Sequence, residues 1–404
     1  MFHLVLLLAF VYVAVRFIAP LPWSVGARVA LGGVMLLVSK HHLIQHWVFG
    51  SMFSPEVPRM LIVLVGVAFC AFGFLFVMVV GADALLIAAR LFGRKPALPA
   101  RTRTRARARY AAAVAALILS AVGVTQSIRV PEVHRVELTV RDLPPALDGL
   151  RIVQLTDLHI SRLLAAPWTR EVVARTNALD ADLILITGDV IDGTPDARRE
   201  DVRPLADLRA RHGVIASLGN HEYYFGGARW AAELKSLGMQ VLLNQHVDID
   251  VNGQPLVVAA VTDPAAWMSG MDGPQLDQAL AGARTDAPIV LMSHRPIRSE
   301  QNARAGVDLQ LSGHTHGGMV FGLDLVVRIA NGGFLSGPYD VDGMWMYISK
   351  GTGLWNGFPL RLGVPAEITE IVLRSPQAAN QPSASMKSAA ASASPSGRGL
   401  VGVE

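Results

Sequence analysis

Two kinds of hydrophobic pattern divide the chain near residue 130. Before that point, long apolar runs without alternation predict membrane helices near residues 2–19, 21–39, 60–82 and 110–128. The runs at 60–82 and 110–128 carry no charged residue and are close to the roughly 20 helical residues that cross a bilayer. Arg28 interrupts the run at 21–39. The pattern predicts a bundle of about four transmembrane helices in a membrane domain over residues 1–130.

The second part, residues 131–374, contains short apolar runs separated by stretches of helical length. Val133–Val140 alternates between apolar and polar residues, which predicts an amphipathic strand. Six further runs are rich in Val, Ile and Leu and predict strands that are buried on both faces. These runs are Arg151–Leu155, Leu183–Thr187, Val214–Leu218, Leu256–Val261, Ile289–Met292 and Leu309–Leu311. Strands that alternate with helices predict an α/β domain, in which ligands bind beyond the carboxyl ends of the strands.

Composition supports a membrane domain and indicates a disordered C-terminal tail. Hydrophobic residues make up 51% of the chain and the mean hydropathy is +0.38, which is high for a soluble protein. Cys70 is the single cysteine, so a disulfide framework and a thiolate metal site are both excluded. Residues 375–404 are rich in Ala, Ser, Pro and Gly and predict a disordered tail.

The distribution of charge predicts the orientation in the membrane. The net charge is +4, but residues 90–109 alone hold eight basic residues and no acidic one. By the positive-inside rule this basic loop should be cytoplasmic, and the last helix then leads outward. Residues 131–374 are therefore expected on the extracytoplasmic face of a multi-pass protein of the inner or plasma membrane. The basic loop lacks interleaved aromatic residues, so we predict no nucleic-acid partner, and no protein partner is indicated.

Residues that can bind metals follow five of the predicted strands. They are Asp157 and His159, Asp189 and Asp192, Asn220, His221 and Glu222, His294, and finally His314 and His316. We expect them all at one edge of a sheet. If the backbone stays extended, His314 and His316 face the same side and point into one pocket. Nitrogen and oxygen donors without sulfur suit Mn, Fe or Zn, and the number of donors predicts two divalent metal ions.

These blocks resemble the calcineurin-like metallophosphoesterase superfamily, whose pattern is D-x-H, G-D-x-x-D, G-N-H-[ED], a lone His and G-H-x-H. The chain contains all five blocks in this order, and the resemblance covers roughly residues 150–373. The segments GHTHGG, NGGF and YISKGTGLWNGFPLR are similar to one branch of the superfamily. This branch contains YkuE-type and YaeI-type phosphoesterases and transmembrane proteins with a metallophosphoesterase domain. Met319 stands where the branch often has Gln, which affects substrate contacts rather than metal ligands.

The resemblance implies a fold, a reaction and a role for each residue. The fold is a two-sheet α/β/β/α sandwich, and the reaction is hydrolysis of a phosphate mono- or diester by a metal-bridging hydroxide. The first metal would be held by Asp157, His159 and His316, the second by Asn220, His294 and His314, and both by Asp189. His221 would act on the leaving oxygen as a proton donor or transition-state stabiliser. Asp192 and Glu222 would orient histidines and backbone without touching a metal.

The substrate is less strongly indicated than the reaction. The segment Ala265–Gly273 carries Trp267, Met268 and Met271, and a short linker ties the domain to the last membrane helix. One hypothesis is an apolar lip that faces the bilayer and admits a lipid-like phosphoester, and the alternative is ordinary packing. Two alternatives to an enzyme also stay open, namely a non-catalytic metal- or protein-binding scaffold and a membrane sensor that uses the same fold.

Overall fold

The computed structural model describes residues 1–93 and 102–377. Residues 94–101, in the middle of the predicted basic loop, and the predicted tail from residue 378 onward lie outside these ranges. The described parts of the basic loop on either side are largely helical, so the predicted loop is shorter than residues 90–109.

The described residues of the N-terminal part, 1–93 and 102–127, form five α-helices. They are α1 (Phe2–Val13), α2 (Val25–Ser39), α3 (His41–Phe49), α4 (Arg59–Leu91) and α5 (Thr102–Ser127). A π-helical turn extends α1 to Ile18, and the sequence Pro20-Leu-Pro22 follows. Because proline cannot donate the backbone hydrogen bond that a helix interior requires, the first helix ends here. The side chain of Ser24 then caps α2 by accepting from the backbone N–H of Ala27 at 3.3 Å.

The predicted number of about four spans is wrong, because only two helices in the described ranges are long and apolar enough to cross a membrane. These two lie within Arg59–Leu91 and Ala106–Ser127 and contain the predicted spans at 60–82 and 110–128 almost completely. The predicted spans at 2–19 and 21–39 correspond to the shorter helices Phe2–Ile18 and Val25–Ser39. At about 1.5 Å per residue these helices reach less than the roughly 30 Å of a bilayer core.

The described residues after α5 contain twelve strands. They are β1 (Glu132–Thr139), β2 (Arg151–Leu155), β3 (Leu183–Thr187), β4 (Val214–Ser217), β5 (Gln240–Val241), β6 (Gln245–Val251), β7 (Gln254–Ala260), β8 (Ile289–Met292), β9 (Leu309–Ser312), β10 (Gly337–Val341), β11 (Met344–Ile348) and β12 (Glu367–Arg374). These strands form two mixed six-stranded sheets, the first with the order β1-β12-β2-β3-β4-β5 and the second with the order β10-β11-β9-β8-β7-β6. All seven predicted strands are confirmed, as is the two-sheet architecture.

Six helices pack against the outer faces of the two sheets, and a seventh has no buried residue. The seven in the described residues are α6 (Ala166–Asn177), α7 (Pro195–Val202), α8 (Asn220–Tyr224), α9 (Gly227–Ser236), α10 (Leu276–Ala279), α11 (Ser299–Arg304) and α12 (Asp324–Ala330). Helix α12 is the one without a buried residue. Alternate residues of one strand enter different cores. In β2, Ile152 packs between the two sheets, while Val153 packs beneath the helices of the first sheet. This two-sided burial explains the continuous apolar runs in the sequence.

The strands whose ends carry the candidate ligands belong to both sheets. The prediction that all these ligands lie at one edge of a single sheet is therefore wrong. Strands β2, β3 and β4 are parallel neighbours in the first sheet, whereas β8 and β9 are parallel neighbours in the second. Their carboxyl ends meet at the same end of the sandwich, as the hydrogen bond of 3.0 Å from Gln154 Nε2 to the Ser312 carbonyl illustrates.

The N-terminal helices pack directly against this end of the sandwich. A loop before β12, residues 357–361, lies between α4 and α5. Ser127 donates to the carbonyl of Pro359 at 3.0 Å, and the N–H of Arg361 donates to the carbonyl of Gly123 at 3.1 Å. Gly123 leaves no space for a side chain, because a Cβ atom there would lie 2.3 Å from Leu360 Cδ1. The apolar helices therefore lie next to the end of the sandwich that carries the candidate ligands.

Candidate metal centre

Five of the seven predicted metal ligands have left-handed backbone conformations. Their φ angles are 52° for Asp157, 45° for His159, 52° for Asp189, 68° for His314 and 50° for His316. For residues other than glycine this conformation is uncommon and costs on the order of 1–3 kcal/mol. The strain is concentrated where the chain turns sharply at the end of a strand, and it directs these side chains toward one another.

Glycines next to the ligands allow this close approach. A Cβ atom on Gly219 would lie 2.2 Å from Asp189 Oδ1, and one on Gly313 would lie 2.2 Å from Asp157 Oδ2. Both distances are far below a van der Waals contact. The glycines that precede Asn220 and His314 in the sequence motifs are thus required by packing against the two carboxylates.

The first group of candidate ligands consists of Asp157, His159 and His316. One ligand atom from each lies within 4.8 Å of the other two. The Nε2 atoms of His159 and His316 are 3.3 Å apart, and Asp157 Oδ1 is 3.5 Å from His316 Nε2. All three side chains are buried. This is the set that the resemblance assigns to the first metal.

The second group consists of Asp189, His294 and His314, again with ligand atoms within 4.8 Å of one another. His294 Nε2 lies 3.1 Å from Asp189 Oδ2. Asn220 opens α8 beside this group, and its Oδ1 atom is buried without a hydrogen-bond partner among the described residues. Asp189 Oδ2 also lies 3.9 Å from His159 Nε2 in the first group. Asp189 therefore stands between the two groups, where a bridging ligand is expected.

The two histidines of the His314-x-His316 motif separate rather than pairing on one side of a strand. Strand β9 ends at Ser312, and both histidines have positive φ angles, so the predicted extended backbone is wrong. His316 joins the first group and His314 joins the second. The hydrogen bonds of 3.1 Å from the His314 N–H to the carboxylate of Asp157 hold this turn in place.

His221 lies beside both groups, and Asp192 holds its ring. His221 Nδ1 is 2.5 Å from Asp192 Oδ1, and the same oxygen is 3.3 Å from His159 Nδ1. The His221 N–H donates to Asp189 Oδ1 at 2.8 Å. Burial lowers the pKa of His221, but the carboxylates of Asp189 and Asp192 outweigh it and raise the pKa to about 9.

Glu222 organises the backbone that carries Asp189. Its carboxylate accepts from four backbone N–H groups, those of Gly219, Asp189, Val190 and Ile191, at 2.7–3.2 Å. Burial raises the pKa of Glu222 to about 8, while the N–H donors act in the opposite direction because they favour the carboxylate. Glu222 thus joins the turns after β3 and β4.

The arrangement fits a pair of divalent cations. The ring of His294 donates from Nδ1 to the carbonyl of Thr187 at 2.8 Å, so its neutral form directs the lone pair of Nε2 at the Asp189 carboxylate. Two acceptors at such a distance repel each other unless a cation or a proton lies between them. The neighbouring carboxylate attracts such a charge, because Asp189 raises the pKa of His294 to about 10 although burial lowers it. The clustered histidines and aspartates suggest a dinuclear divalent metal site.

Two residues that contact the site were missed in the sequence. Arg361 is fully buried and donates to the carbonyls of Lys350 at 2.7 Å, Gly353 at 2.8 Å and His316 at 3.3 Å. The sequence signal that could have identified Arg361 is its position as a basic residue at the end of the apolar segment FPLR. Phe53 comes from the loop between α3 and α4, and its ring centroid lies 5.1 Å from that of His221. No local pattern links Phe53 to the site.

Comparison with known families agrees with this geometry. Residues 150–318 match the family model described as calcineurin-like phosphoesterase. A bovine transmembrane protein with metallophosphoesterase domain is 35% identical over 289 residues, which cover 68% of this chain and 64% of the relative. An uncharacterized metallophosphoesterase of Campylobacter jejuni is 30% identical over 263 residues, which cover 65% of this chain and 68% of the relative.

Shorter relatives and solved structures match the same region. The uncharacterized metallophosphoesterase YkuE of Bacillus subtilis is 29% identical, and the match covers 65% of this chain and 94% of YkuE. A 5'-nucleotidase precursor from Thermus thermophilus shares 19% identity at a TM-score of 0.37, covering 57% of this chain and 55% of the solved one. The chain spans less than two thirds of the length of the bovine relative and of a similar zebrafish protein.

Proposed function

The chain belongs to the calcineurin-like phosphoesterase family, and from this premise we propose that it is a membrane-anchored hydrolase of phosphate mono- or diesters. The observation that carries this proposal is the convergence of two ligand groups on Asp189. Every ligand position implied by the family motif is occupied by a suitable side chain. This completeness favours an enzyme over a scaffold that has lost its chemistry.

Each group of side chains would hold one divalent ion. Asp157, His159 and His316 would hold the first, Asn220, His294 and His314 would hold the second, and Asp189 would hold both. When bound, such a pair of ions activates water and neutralises negative charge on a phosphoryl group. Mn, Fe and Zn all suit this set of nitrogen and oxygen donors.

The protein's own groups would position and move protons around that centre. His221 lies close to both ligand groups, and Asp192 fixes its ring through Nδ1 at 2.5 Å. Its Nε2 is left to face the substrate, where it would donate a proton to the leaving oxygen or stabilise the charge there. Asp192 orients His159 in the same way, and Glu222 keeps the Asp189 turn rigid.

The N-terminal helices support membrane anchoring with the sandwich outside the cytoplasm. Two helices could span a bilayer, and some relatives are named transmembrane proteins. At the end of the bundle remote from the metal centre, Arg16 pairs with Asp83 at 2.5 Å, and Trp23 donates to Tyr110 at 3.0 Å. The chain between α4 and α5 starts and ends at this end, and residues 90–109 contain eight basic residues and no acidic one. By the positive-inside rule this end would be cytoplasmic.

A lipid-linked phosphoester is a candidate substrate because apolar residues surround the site on the side of the helices. Val320 packs in the same cluster as α4 and α5, and the following segment leaves Phe321 85%, Val326 63% and Ile329 73% exposed. A membrane interface would cover such a surface.

The segment 265–273, which was predicted to form an apolar lip, stays a candidate contact for such a substrate. Trp267 and Met268 are 64% and 80% exposed, whereas Met271 packs against the core beneath the first sheet. Replacing Trp267 and Met268 by Ser should reduce hydrolysis of a lipid phosphoester in vesicles and spare a soluble aryl phosphoester. An equal loss of hydrolysis on both substrates, or no loss on either, would show that these two residues do not form a lipid-specific contact.

The hydrolase activity itself is tested with a panel of phosphate mono- and diesters and full-length protein loaded with Mn²⁺, Fe²⁺ or Zn²⁺. We expect turnover of at least one ester, and loss of that turnover in Asp189→Asn. The matched control is Asp196→Asn, which alters an exposed carboxylate paired with Arg229 away from the centre. Absence of turnover across the panel with every metal would contradict the proposal.

A further inference from the structure

A segment of the N-terminal half forms one wall of the candidate active site. Residues 50–58 connect α3 to α4, and Phe53 lies at the point where this segment reaches His221. Three rings surround Phe53. The centroid distances are 5.1 Å to His221, 5.9 Å to Tyr224 and 5.5 Å to Trp355. The rings of Phe53 and Tyr224 are nearly parallel, with 15° between their planes.

The backbone of this segment is fixed independently of the Phe53 ring. Asn356 Nδ2 donates to the carbonyl of Phe53 at 2.8 Å, and Ser54 Oγ donates to the carbonyl of Asp192 at 3.3 Å. Glu56 forms an ion pair with Arg198, whose side chain is fully buried. The segment is thus bound to the sandwich at three successive points. Phe53 is held against the site, not merely near it.

The aromatic surface is only partly covered. Tyr224 is 40% exposed, and Phe53 and Trp355 are half-buried. Rings that served only to fill a core would be covered by other side chains. These three rings instead remain partly exposed, and those of Phe53 and Tyr224 lie 5.1 Å and 5.4 Å from the ring of His221, which is the residue proposed to act on the leaving oxygen. The carbon skeleton attached to that oxygen would therefore meet the rings first.

We propose that Phe53, Tyr224 and Trp355 form a subsite for a planar, apolar leaving group, such as the aryl ring of an aryl phosphoester. The inference rests on the proposed function, because His221 marks the leaving-group side only if a phosphoester is cleaved there. The rings of Phe53 and Tyr224 are nearly parallel with centroids 5.9 Å apart, and a planar ligand would stack on the exposed side of this aromatic group. The substrate site is then completed by the segment between α3 and α4, outside the family domain at 150–318.

Binding of non-hydrolysable phosphonates tests this subsite without requiring turnover. Phenylphosphonate, octylphosphonate and methylphosphonate are titrated calorimetrically into full-length, metal-loaded protein. Phe53→Ala removes the ring but keeps the carbonyl that accepts from Asn356. We expect it to weaken phenylphosphonate binding about tenfold and to leave methylphosphonate unchanged, since one aromatic contact is lost. The matched control is Trp47→Ala, which removes an aromatic side chain of the same N-terminal half that is 76% exposed.

Several outcomes would overturn the inference. They are equal weakening of phenylphosphonate and methylphosphonate, no weakening of either, and wild-type binding of phenylphosphonate that is no tighter than that of methylphosphonate. If Phe53→Ala weakens octylphosphonate binding as strongly as phenylphosphonate binding, the three rings bind any apolar group, and the aryl subsite is rejected. Where Phe53→Ala does not fold, Phe53→Leu replaces it, and an unchanged affinity for phenylphosphonate in this variant counts against the subsite.

The same titrations separate this inference from the proposed function. If no ester of the panel is hydrolysed with any metal but phenylphosphonate binding still depends on Phe53, the hydrolase proposal fails, and the three rings remain an aryl-binding surface without a leaving-group role. If phenyl phosphate is hydrolysed and binding is independent of Phe53, the hydrolase proposal stands and the subsite fails.

Discussion

Asp192 contacts two imidazoles through a single carboxylate oxygen. Its Oδ1 atom lies 2.5 Å from His221 Nδ1 and 3.3 Å from His159 Nδ1, and the side chain is fully buried. One carboxylate thus sets the orientation of a candidate metal ligand and of the candidate proton donor. The two rings approach each other with centroids 4.6 Å apart, so a change at Asp192 reaches both.

We predict that Asp192→Asn lowers kcat by about 10- to 100-fold with a smaller change in KM, because both histidines lose an anionic acceptor while the ligands themselves remain. Steady-state kinetics on any ester that the wild type hydrolyses measure the effect. Asp196→Asn is again the control and should leave both constants unchanged. An Asp192→Asn variant with wild-type kcat would show that the orientation of these rings does not matter.

At the scale of elements, the loop at 357–361 links the apolar helices to the metal centre. Pro359 and Leu360 fill spaces that exist only because α4 has Gly66 and α5 has Gly123. Arg361, at the end of the same loop, holds the carbonyl of His316 at 3.3 Å. Displacement of α5 would therefore reach a candidate metal ligand through this loop and the hydrogen bond from Arg361 to the His316 carbonyl.

Gly123→Val places a branched side chain where Leu360 already lies. Overpacking of this kind typically costs about 1–3 kcal/mol, and we expect a lower thermal midpoint together with lower turnover. The matched substitution is Gly73→Val, in the same bundle but with no atom within 4 Å of its Cβ position. If Gly123→Val and Gly73→Val changed the melting curve and the activity equally, the proposed contact between Gly123 and Leu360 would not explain the effect.

Strands β11 and β12 contribute a pH-dependent term to stability. Glu367 accepts from Lys350 Nζ and from the Tyr347 hydroxyl, both at 2.8 Å. Burial opposes ionisation of Glu367, but Lys350 and the hydrogen bonds outweigh it and lower its pKa below the usual 4.5. A lowered folded-state pKa means that the stabilisation is present above the unfolded-state value and is lost as the pH falls through the folded-state value.

Wild type and Glu367→Gln should accordingly differ in thermal midpoint by a constant amount above about pH 4.5, with the variant less stable. The difference should shrink as the pH is lowered further. Melting curves across pH 3–7 measure it, and Glu300→Gln, an exposed acid paired with Arg304, should show no such gap. A gap between wild type and Glu367→Gln that widens on acidification would contradict this sign.

The sequence allowed prediction of those elements that local patterns encode. Val- and Ile-rich runs identified β2, β3 and β8 to the residue, because strands buried on both faces must be apolar throughout. Strand β12 was not predicted, although it is almost entirely buried, because Thr369 and Glu370 leave EITEIVLR neither continuously apolar nor alternating. The number of spans was too high since hydropathy does not register where Pro20 and Pro22 end a helix.

The grouping of the ligands followed from the family pattern, but their backbone geometry did not. Local sequence gave no reason to expect left-handed conformations at His314 and His316 rather than an extended pair. Arg361 and Phe53 lie 45 and 168 positions from the histidines that they contact, which are His316 and His221 respectively, so only the tertiary structure reveals them. Contacts of this kind depend on packing between elements, which sequence periodicity does not encode.

At the scale of the whole molecule, the helices and the sandwich form one packed unit. Phe69 of α4 packs edge-on against Phe358 with ring centroids 5.8 Å apart, and Arg59 donates to the carbonyl of Leu163 at 2.9 Å. The metal centre consequently has a fixed position relative to the helices. If the helices cross a bilayer, the site lies close to its surface on the side opposite the basic end.

This geometry predicts the sidedness of the C-terminus. Alkaline phosphatase fused after residue 404 should be active and green fluorescent protein should be dark, because the proposed orientation puts the sandwich outside the cytoplasm. Fusions after residue 93, at the basic end of α4, should give the reverse pattern. A fluorescent C-terminal fusion together with an inactive phosphatase fusion would refute the proposed orientation.

The proposed hydrolytic centre requires Asp189 to hold two metal ions together. Elemental analysis of purified protein, made metal-free and then reconstituted, measures whether it does. We predict about two divalent ions per chain with restored phosphoester hydrolysis, and reduced metal content with no hydrolysis in Asp189→Asn. Protein that binds no divalent ion after reconstitution, or an Asp189→Asn variant with full metal content and full activity, would contradict the account.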